Sequence, residues 1–225
     1  MTHTIAIDGP SGAGKSTAAK AVAVELGWHY LDTGAMYRAV ALGCMAGGID
    51  HDDATGIADY CQRMRLDIST DPTNVVFSLD GRDITEAIRR PEVSAWVSAV
   101  STNPACRTDL VRRQRAILGT VDFVAEGRDI TTVVAPTAEV RVLLTADEAV
   151  RLRRRGAELG DQVDAAALRD QVVRRDRDDS TLVNFTVAAD GVVTIDSTDL
   201  TAQQVVAHIL ELARRAGLVG GRRTD

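Results

Sequence analysis

No apolar run in this chain of 225 residues approaches the roughly 18 to 20 residues that a membrane-spanning helix requires, and no basic segment feeds a hydrophobic core at its N-terminus. The expectation is a cytoplasmic protein with no membrane partner. Cysteine is scarce too: Cys44, Cys61 and Cys106 are odd in number, far apart and not in C-x-x-C pairs, which speaks against a disulfide framework or a zinc site. They read as reduced core thiols. Positive charge is outnumbered, with a formal net charge of −6, so the sequence-independent binding of nucleic acid that a basic surface provides is not expected. Lysine is nearly absent: of the 26 basic residues only Lys15 and Lys20 are lysine. The arginine excess is either a coding bias or a use of its planar fork on carboxylate and phosphate oxygens.

What is present is a βα rhythm. Hydrophobic content of 45% in a chain this long is enough for a real core in one domain with an insert. Ile5-Ala6-Ile7 reads as a first strand, followed by a helix over Lys15 to Leu26, a strand at His29-Tyr30-Leu31 and a helix from Met36 through Met45. Phe123 to Ala125, Val140 to Leu144 and Val192 to Ile195 are three more buried-strand candidates, giving five parallel strands in a doubly wound α/β sheet. The stretch from Leu66 to Ile84 breaks the rhythm: Leu66 to Ile68 and Val75 to Leu79 flank the turn-rich Asp71-Pro72-Thr73-Asn74 and predict a small antiparallel insert. Arg151 to Asp179, charged and interrupted by Gly156 and Gly160, reads as two helices joined by a mobile hairpin, and the tail past Leu218 as disordered. Asp80 to Thr85 nearly repeats Glu126 to Thr131, but the surroundings differ and the echo reads as coincidence rather than duplication.

Gly9-Pro10-Ser11-Gly12-Ala13-Gly14-Lys15-Ser16 satisfies G-x-x-x-x-G-K-[ST] directly after the first strand and directly before a helix, the context that the motif requires. Its glycines let backbone N–H groups and the helix N-terminus converge on a phosphate. Lys15 would reach the β- and γ-phosphates and the Ser16 hydroxyl would ligate Mg²⁺. A phosphate loop says nucleoside triphosphate and no more. A regulatory GTPase usually carries Asn-Lys-x-Asp, and none of Asn74, Asn103 and Asn184 precedes lysine. Leu143 to Glu148 could pass for the acidic strand end of a motor ATPase, but Thr145 to Glu148 also reads as a capping box opening the next helix.

Small-molecule kinases remain. Leu31-Asp32-Thr33-Gly34-Ala35-Met36-Tyr37-Arg38, Glu126-Gly127-Arg128-Asp129 and Arg174-Arg175-Asp176-Arg177-Asp178-Asp179-Ser180-Thr181, together with Gly9 to Thr17 and Ile195-Asp196-Ser197-Thr198, resemble the bacterial cytidylate kinases of the nucleoside monophosphate kinase family. The resemblance runs from Ile5 to about Leu212 with the motifs in family order. It implies a P-loop kinase core with a five-stranded parallel sheet, an acceptor-binding insert and a short helical lid. The divisions it suggests are core at 1–61, insert at 62–98, core at 99–150, lid at 151–170, core at 171–218 and a tail at 219–225.

The implied reaction, within pyrimidine nucleotide metabolism, moves the γ-phosphoryl group of ATP with Mg²⁺ onto CMP or dCMP. By the resemblance, Gly9, Pro10, Ser11, Gly12, Ala13, Gly14, Lys15, Ser16 and Thr17 bind ATP, and Lys15, Arg38 and Arg128 carry catalysis. Arg38 and Arg128 would bind the acceptor phosphate beside Tyr37, while Ser98, Arg107 and Asp129 read cytosine. Arg175 and Asp179 would lie near the ribose. Asp32 would contact substrate, and Asp32 or Glu126 would hold water on the metal. Arg151, Arg153, Arg154 and Arg155 would include the lid arginines, without it being clear which. On the residues alone, a helix-surface arginine at 38, an ordinary helix serine at 98 and a solvated charged helix over 174–181 are competing readings. Asp8 stands beside the loop with no assignable role.

Two departures from the family pattern stand out. Leu182 occupies a position where arginine is usual, removing one acceptor-phosphate contact for which Arg177 could substitute, and Thr131 replaces the usual glycine after Gly-Arg-Asp-hydrophobic. A P-loop kinase with another small acceptor and a non-catalytic nucleotide-binding regulator are the alternatives. With no exposed apolar stripe in the sequence, a monomer is expected.

Overall fold

A computed structural model describes residues 2–159 and 187–219. Most of the range 151–170, the stretch holding Arg175, Arg177, Asp179 and Leu182, and residues 220–225 lie outside them.

The five expected strands form one parallel sheet: β1 (Thr4–Asp8), β2 (His29–Asp32), β6 (Phe123–Gly127), β7 (Val140–Thr145) and β8 (Val193–Asp196), in the order β2-β6-β1-β7-β8. Alternation along β1 splits the core. Ile5 and Ile7 join Tyr30, Val124, Val142 and Leu144 under α1 (Lys15–Leu26) and α7 (Ala202–Arg215), while Ala6, Leu31, Phe123 and Ala125 face α2 (Thr33–Ala46), α3 (Ala54–Arg63), α4 (Pro91–Ser101) and α5 (Pro104–Leu118). Cys44, Cys61 and Cys106 are free and buried on that second face, where burial pushes the Cys44 thiol up to about 12.

Caps set the helix ends. Asp32 accepts the Ala35 N–H, so α2 starts at Thr33, three residues before the expected Met36. Asn103 caps α5, and Thr201 with Gln204 closes a capping box on α7. Thr145, expected to open the next helix with Glu148, still pairs with Asp196 in the sheet, and α6 (Glu148–Leu159) begins three residues later. Gly156 does not interrupt α6, which runs through it.

The insert is a three-stranded antiparallel sheet of β3 (Leu66–Ile68), β4 (Phe77–Leu79) and β5 (Arg82–Asp83). Val75 and Val76 fall outside β4 in the loop between β3 and β4, where the Ser69 hydroxyl donates to the Asn74 carbonyl and the Ser69 N–H to the Val76 carbonyl. The two-residue strand β5 was not foreseen. Asp80 and Gly81, at φ 50 and 80, make a tight turn that folds it back on β4.

Parallel pairing has one consequence for function. Asp8 aligns with Gly127 and Leu143, and Asp32 with Glu126, so the polar ends of β1, β2 and β6 gather at one sheet edge.

Candidate active site

The loop from Gly9 to Ser16 leaves β1 at that edge and enters α1 through Gly14, which adopts the left-handed conformation at φ 94. No side chain caps α1, whose N-terminus is of the kind that binds a phosphate. Gly9, Pro10 and the 1% exposed Ala13 are buried behind the loop. At Gly9 (φ 149) a Cβ would lie 2.0 Å from the Leu144 carbonyl oxygen, so only glycine lets the loop pass β7. Three contacts hold its shape: Lys15 Nζ donates to the Pro10 carbonyl within the loop (3.0 Å), and from far along the chain Arg151 donates to the Ser11 carbonyl (3.0 Å) and the Ser197 hydroxyl to the Ala13 carbonyl (3.1 Å).

Behind the loop lie two carboxylates. Glu126 Oε1 accepts from the Ser16 hydroxyl and from the Tyr30 hydroxyl (3.0 Å). Burial and the neighbouring Asp32 push the Glu126 carboxyl up, and Lys15 opposes them. Burial would also raise Asp32, but the Arg38 guanidinium 2.9 Å away, the Ala35 N–H and Arg89 outweigh it and hold this carboxyl below its usual range. Gly127 lets the end of β6 pack closely against the start of α2, since a Cβ on it would meet Thr33 Oγ1 at 2.4 Å.

These groups open on a cleft of about 440 Å³. Lys15, Lys20, Arg38, Arg89, Arg128 and Arg155 line it with Asp32 and Glu126, six cations against two anions, as a polyanion site requires. Ser11, Gly12, Gly14, Ser16 and Thr17 supply its floor. Of the remaining expected contacts, Tyr37, Ser98, Arg107 and Asp129 lie outside this lining. Arg107 on α5 and Asp129 after β6 nevertheless meet, with Nη2 to Oδ2 at 2.5 Å, and Arg107 also donates to the Ser101 carbonyl at 3.4 Å. Ser98 sits one turn before Ser101 on α4, and Tyr37 is buried on α2.

The family model described as cytidylate kinase matches residues 5–215. The chain belongs to the cytidylate kinase family. The cytidylate kinase of Cutibacterium acnes is 49% identical over 213 residues, 92% of this chain and 94% of that protein. That of Mycobacterium avium is 44% identical over 220 residues, covering 94% and 95%, and that of Pelotomaculum thermopropionicum 44% over 225 residues, covering 97% of both.

Within this family member the cluster of arginines on α6 divides by what each touches. Arg154 is committed to the Ser197 hydroxyl and carbonyl (2.9 and 2.8 Å), Arg151 donates to the loop, Arg153 is exposed, and Arg155 lines the cleft. Sequence reasoning missed Arg89, Lys20, Tyr30 and the buttress Ser197. Lys20 had a signal, four residues after Ser16 on the same helix, and its ammonium lies 5.5 Å from the Tyr30 ring centre. Arg89 had none, because the fold alone brings the turn Ala87–Arg89 of the insert over the cleft.

Proposed function

We propose that this chain transfers the γ-phosphoryl group of ATP to CMP or dCMP, giving ADP and CDP or dCDP. One observation carries the reading: the phosphate loop, the arginines of α2, the insert and α6, and Arg128 just after β6 line a single cleft. ATP binds through the loop N–H groups and Lys15. Arg38 and Arg128 hold the acceptor phosphate from the opposite side, with Arg89 beside them in the role that a lost arginine at Leu182 would have filled. Immobilising a dianion between guanidinium forks aligns it for in-line attack, and cations around the moving phosphoryl stabilise its charge.

Arg107 and Asp129 select the base, since cytosine differs from uracil in offering an amine donor and an N3 acceptor. Tyr37 and Ser98 complete that side, and Arg175 and Asp179 approach the ribose. The hard-oxygen set of the Ser16 hydroxyl with the Glu126 and Asp32 carboxylates suits Mg²⁺. Ser16 would hold the ion, with the carboxylates orienting its waters. When bound, Mg²⁺ neutralises phosphate charge during transfer. The insert at 62–98 carries acceptor contacts and the segment at 151–170 the lid, with Arg155 closing from its first helix to exclude water. The protein works as a cytoplasmic monomer on small molecules, without nucleic acid or membrane. In the described residues no helix is long and apolar enough to cross a membrane.

A coupled ADP-release assay with Mg·ATP and a panel of cytidine, deoxycytidine, uridine, adenosine and guanosine monophosphates tests the reading. Turnover is expected to favour the two cytidine nucleotides strongly. Background rates with every acceptor while ATP still binds would overturn it.

A further inference from the structure

Asp8 ends β1, precedes the phosphate loop by one residue, and takes no part in the chemistry above. It is 3% exposed, and three donors from a distant segment converge on it. Its Oδ1 accepts the Ile130 N–H at 2.8 Å; its Oδ2 accepts the Thr131 N–H at 2.8 Å and the Thr131 hydroxyl at 2.6 Å. Ile130 and Thr131 follow Arg128 and Asp129 directly and open the π-helical turn Ile130–Val134. The N–H groups that open such a turn have no partner within it, so the Asp8 carboxylate supplies one for two of them. Asp129 stands at φ −143 and ψ 24, outside any regular conformation, at the point where the chain leaves β6 for the turn. The Thr131 hydroxyl adds a third donor to the two backbone N–H groups on this carboxylate.

We propose that Asp8 and Thr131 are positioning residues: they clamp the turn after β6 so that Arg128 and Asp129 face the acceptor, and tie that site to the root of the phosphate loop. The proposal rests on the acceptor-site reading above. Neither residue touches substrate; both act through the backbone of the turn.

Burial pushes the Asp8 carboxyl up to about 6, with the nearby Asp129 adding to the rise, against the lowering by its three hydrogen bonds. The charged groups around it are Asp129, ion-paired with Arg107, and Arg141 of β7, whose guanidinium reaches the Thr131 carbonyl at 3.5 Å. Below that pH the protonated carboxyl offers one acceptor fewer to three donors, and the clamp loosens.

The full-length chain and its Asp8→Asn, Thr131→Val, Thr131→Ser and Arg128→Gln variants would be compared by calorimetric binding of CMP and of ATP, steady-state kinetics and melting temperature. Asp8→Asn is expected to weaken CMP about tenfold, the size of a lost hydrogen bond to a charged group. ATP affinity should hold, and the melting temperature at neutral pH should hold or rise, because a buried charge is removed. Thr131→Val should weaken CMP about threefold and Thr131→Ser should not. The ratio of native to Asp8→Asn affinity for CMP should fall toward one as the pH drops through about 6. Taking that ratio cancels the titration of the CMP phosphate itself, which also ionises near pH 6. Unchanged CMP affinity in both Asp8→Asn and Thr131→Val overturns the proposal, as does a matched loss for both nucleotides with a lowered melting temperature. Should Arg128→Gln also bind CMP normally, the acceptor-site reading fails along with it; if Arg128→Gln alone loses CMP, only the clamp fails.

Discussion

The pentapeptide Gly-Arg-Asp-Ile-Thr occurs at 81–85 and again at 127–131, and the two copies fold differently. In the first, Asp80 and Gly81 take positive φ and close a hairpin, Arg82 and Asp83 are exposed in β5, and Asp83 accepts the Thr85 N–H within its own segment. In the second, Gly127 ends a buried parallel strand, Asp129 and Thr131 are buried, and the bonds run to Arg107 and Asp8, 22 and 123 residues away. Flanking sequence decides between them. Asp-Gly preceded by the alternating Phe77-Ser78-Leu79 makes a turn, whereas Phe123-Val124-Ala125 continues as a strand that β1 and β2 bury on both sides. The same five residues are a tight turn in one place and a cleft-lining edge in the other, because the polar contacts of the first stay within the insert while those of the second run to distant segments.

The comparison breaks most visibly at the arginines. Arg128→Gln is expected to lower kcat/KM for CMP by about 100- to 1,000-fold, the scale of losing a preorganised donor to developing phosphate charge, whereas Arg82→Gln should stay within about twofold of native. The ADP-release assay reads both. A comparable loss from Arg82→Gln would mean that the insert hairpin, and not the end of β6, meets the acceptor.

The aspartates sharpen the comparison through pH. Asp8, the partner that only the second copy has, carries a carboxyl raised from 3.8 to about 6, so its charged form is disfavoured in the fold. Its contribution to stability therefore improves as pH falls from about 6 toward 4, by on the order of 3 kcal/mol if the whole shift is realised. Asp83 of the first copy moves the other way, lowered by the Thr85 N–H and hydroxyl, so its small contribution is lost as pH falls. Denaturant unfolding at about pH 7 and pH 4.5 should show the native chain gaining on Asp8→Asn at the lower pH, and losing or staying level against Asp83→Asn. No gain on Asp8→Asn would mean that Asp8 is better solvated than its burial implies.

Next come the glycines. Gly127→Ala forces a methyl to within 2.4 Å of Thr33 Oγ1 and 2.8 Å of Ile130 Cδ1, both in packed surroundings, so about 1 to 3 kcal/mol of stability should go. At Gly81 nothing stands within 4 Å of the same methyl; only the positive φ is strained, and about 1 kcal/mol is expected. Melting temperatures should rank the two variants in that order.

What could be read from the sequence divides along the same line. The parallel core was legible because strands buried on both faces are continuous apolar runs, and the phosphate loop because its glycine spacing is itself the chemistry. The early start of α2 was not, since it depends on Asp32 being an N-cap as well as the partner of Arg38. The hairpin at Asp80-Gly81 carries a turn signal, but the strand after it is only the two polar residues Arg82–Asp83, too short to show a period. Arg89, Ser197 and the role of Asp8 had no local signal: each acts on residues more than fifty positions away, through contacts that exist only once the sheet has brought strand ends together. Arg154 and Arg155 are neighbours of the same type, yet one buttresses Ser197 and the other lines the cleft, a difference set by helix phase against the rest of the fold.

The smallest effect belongs to the threonines and separates a folding role from a positioning role. Thr85 Oγ1 accepts the Phe77 N–H at 3.0 Å, a contact internal to the insert sheet. Thr85→Val leaves that donor without its partner and should cost about 1 kcal/mol in denaturant unfolding, with CMP affinity unmoved. Thr131→Val, by the clamp argument, should do the reverse: CMP affinity falls, while stability changes little because the two backbone donors still hold Asp8. Stability and affinity would then respond to different copies of one pentapeptide, which a merely local role for either threonine could not produce. Equal stability losses with no change in affinity would reduce Thr131 to ordinary packing and leave the turn after β6 held by its backbone alone.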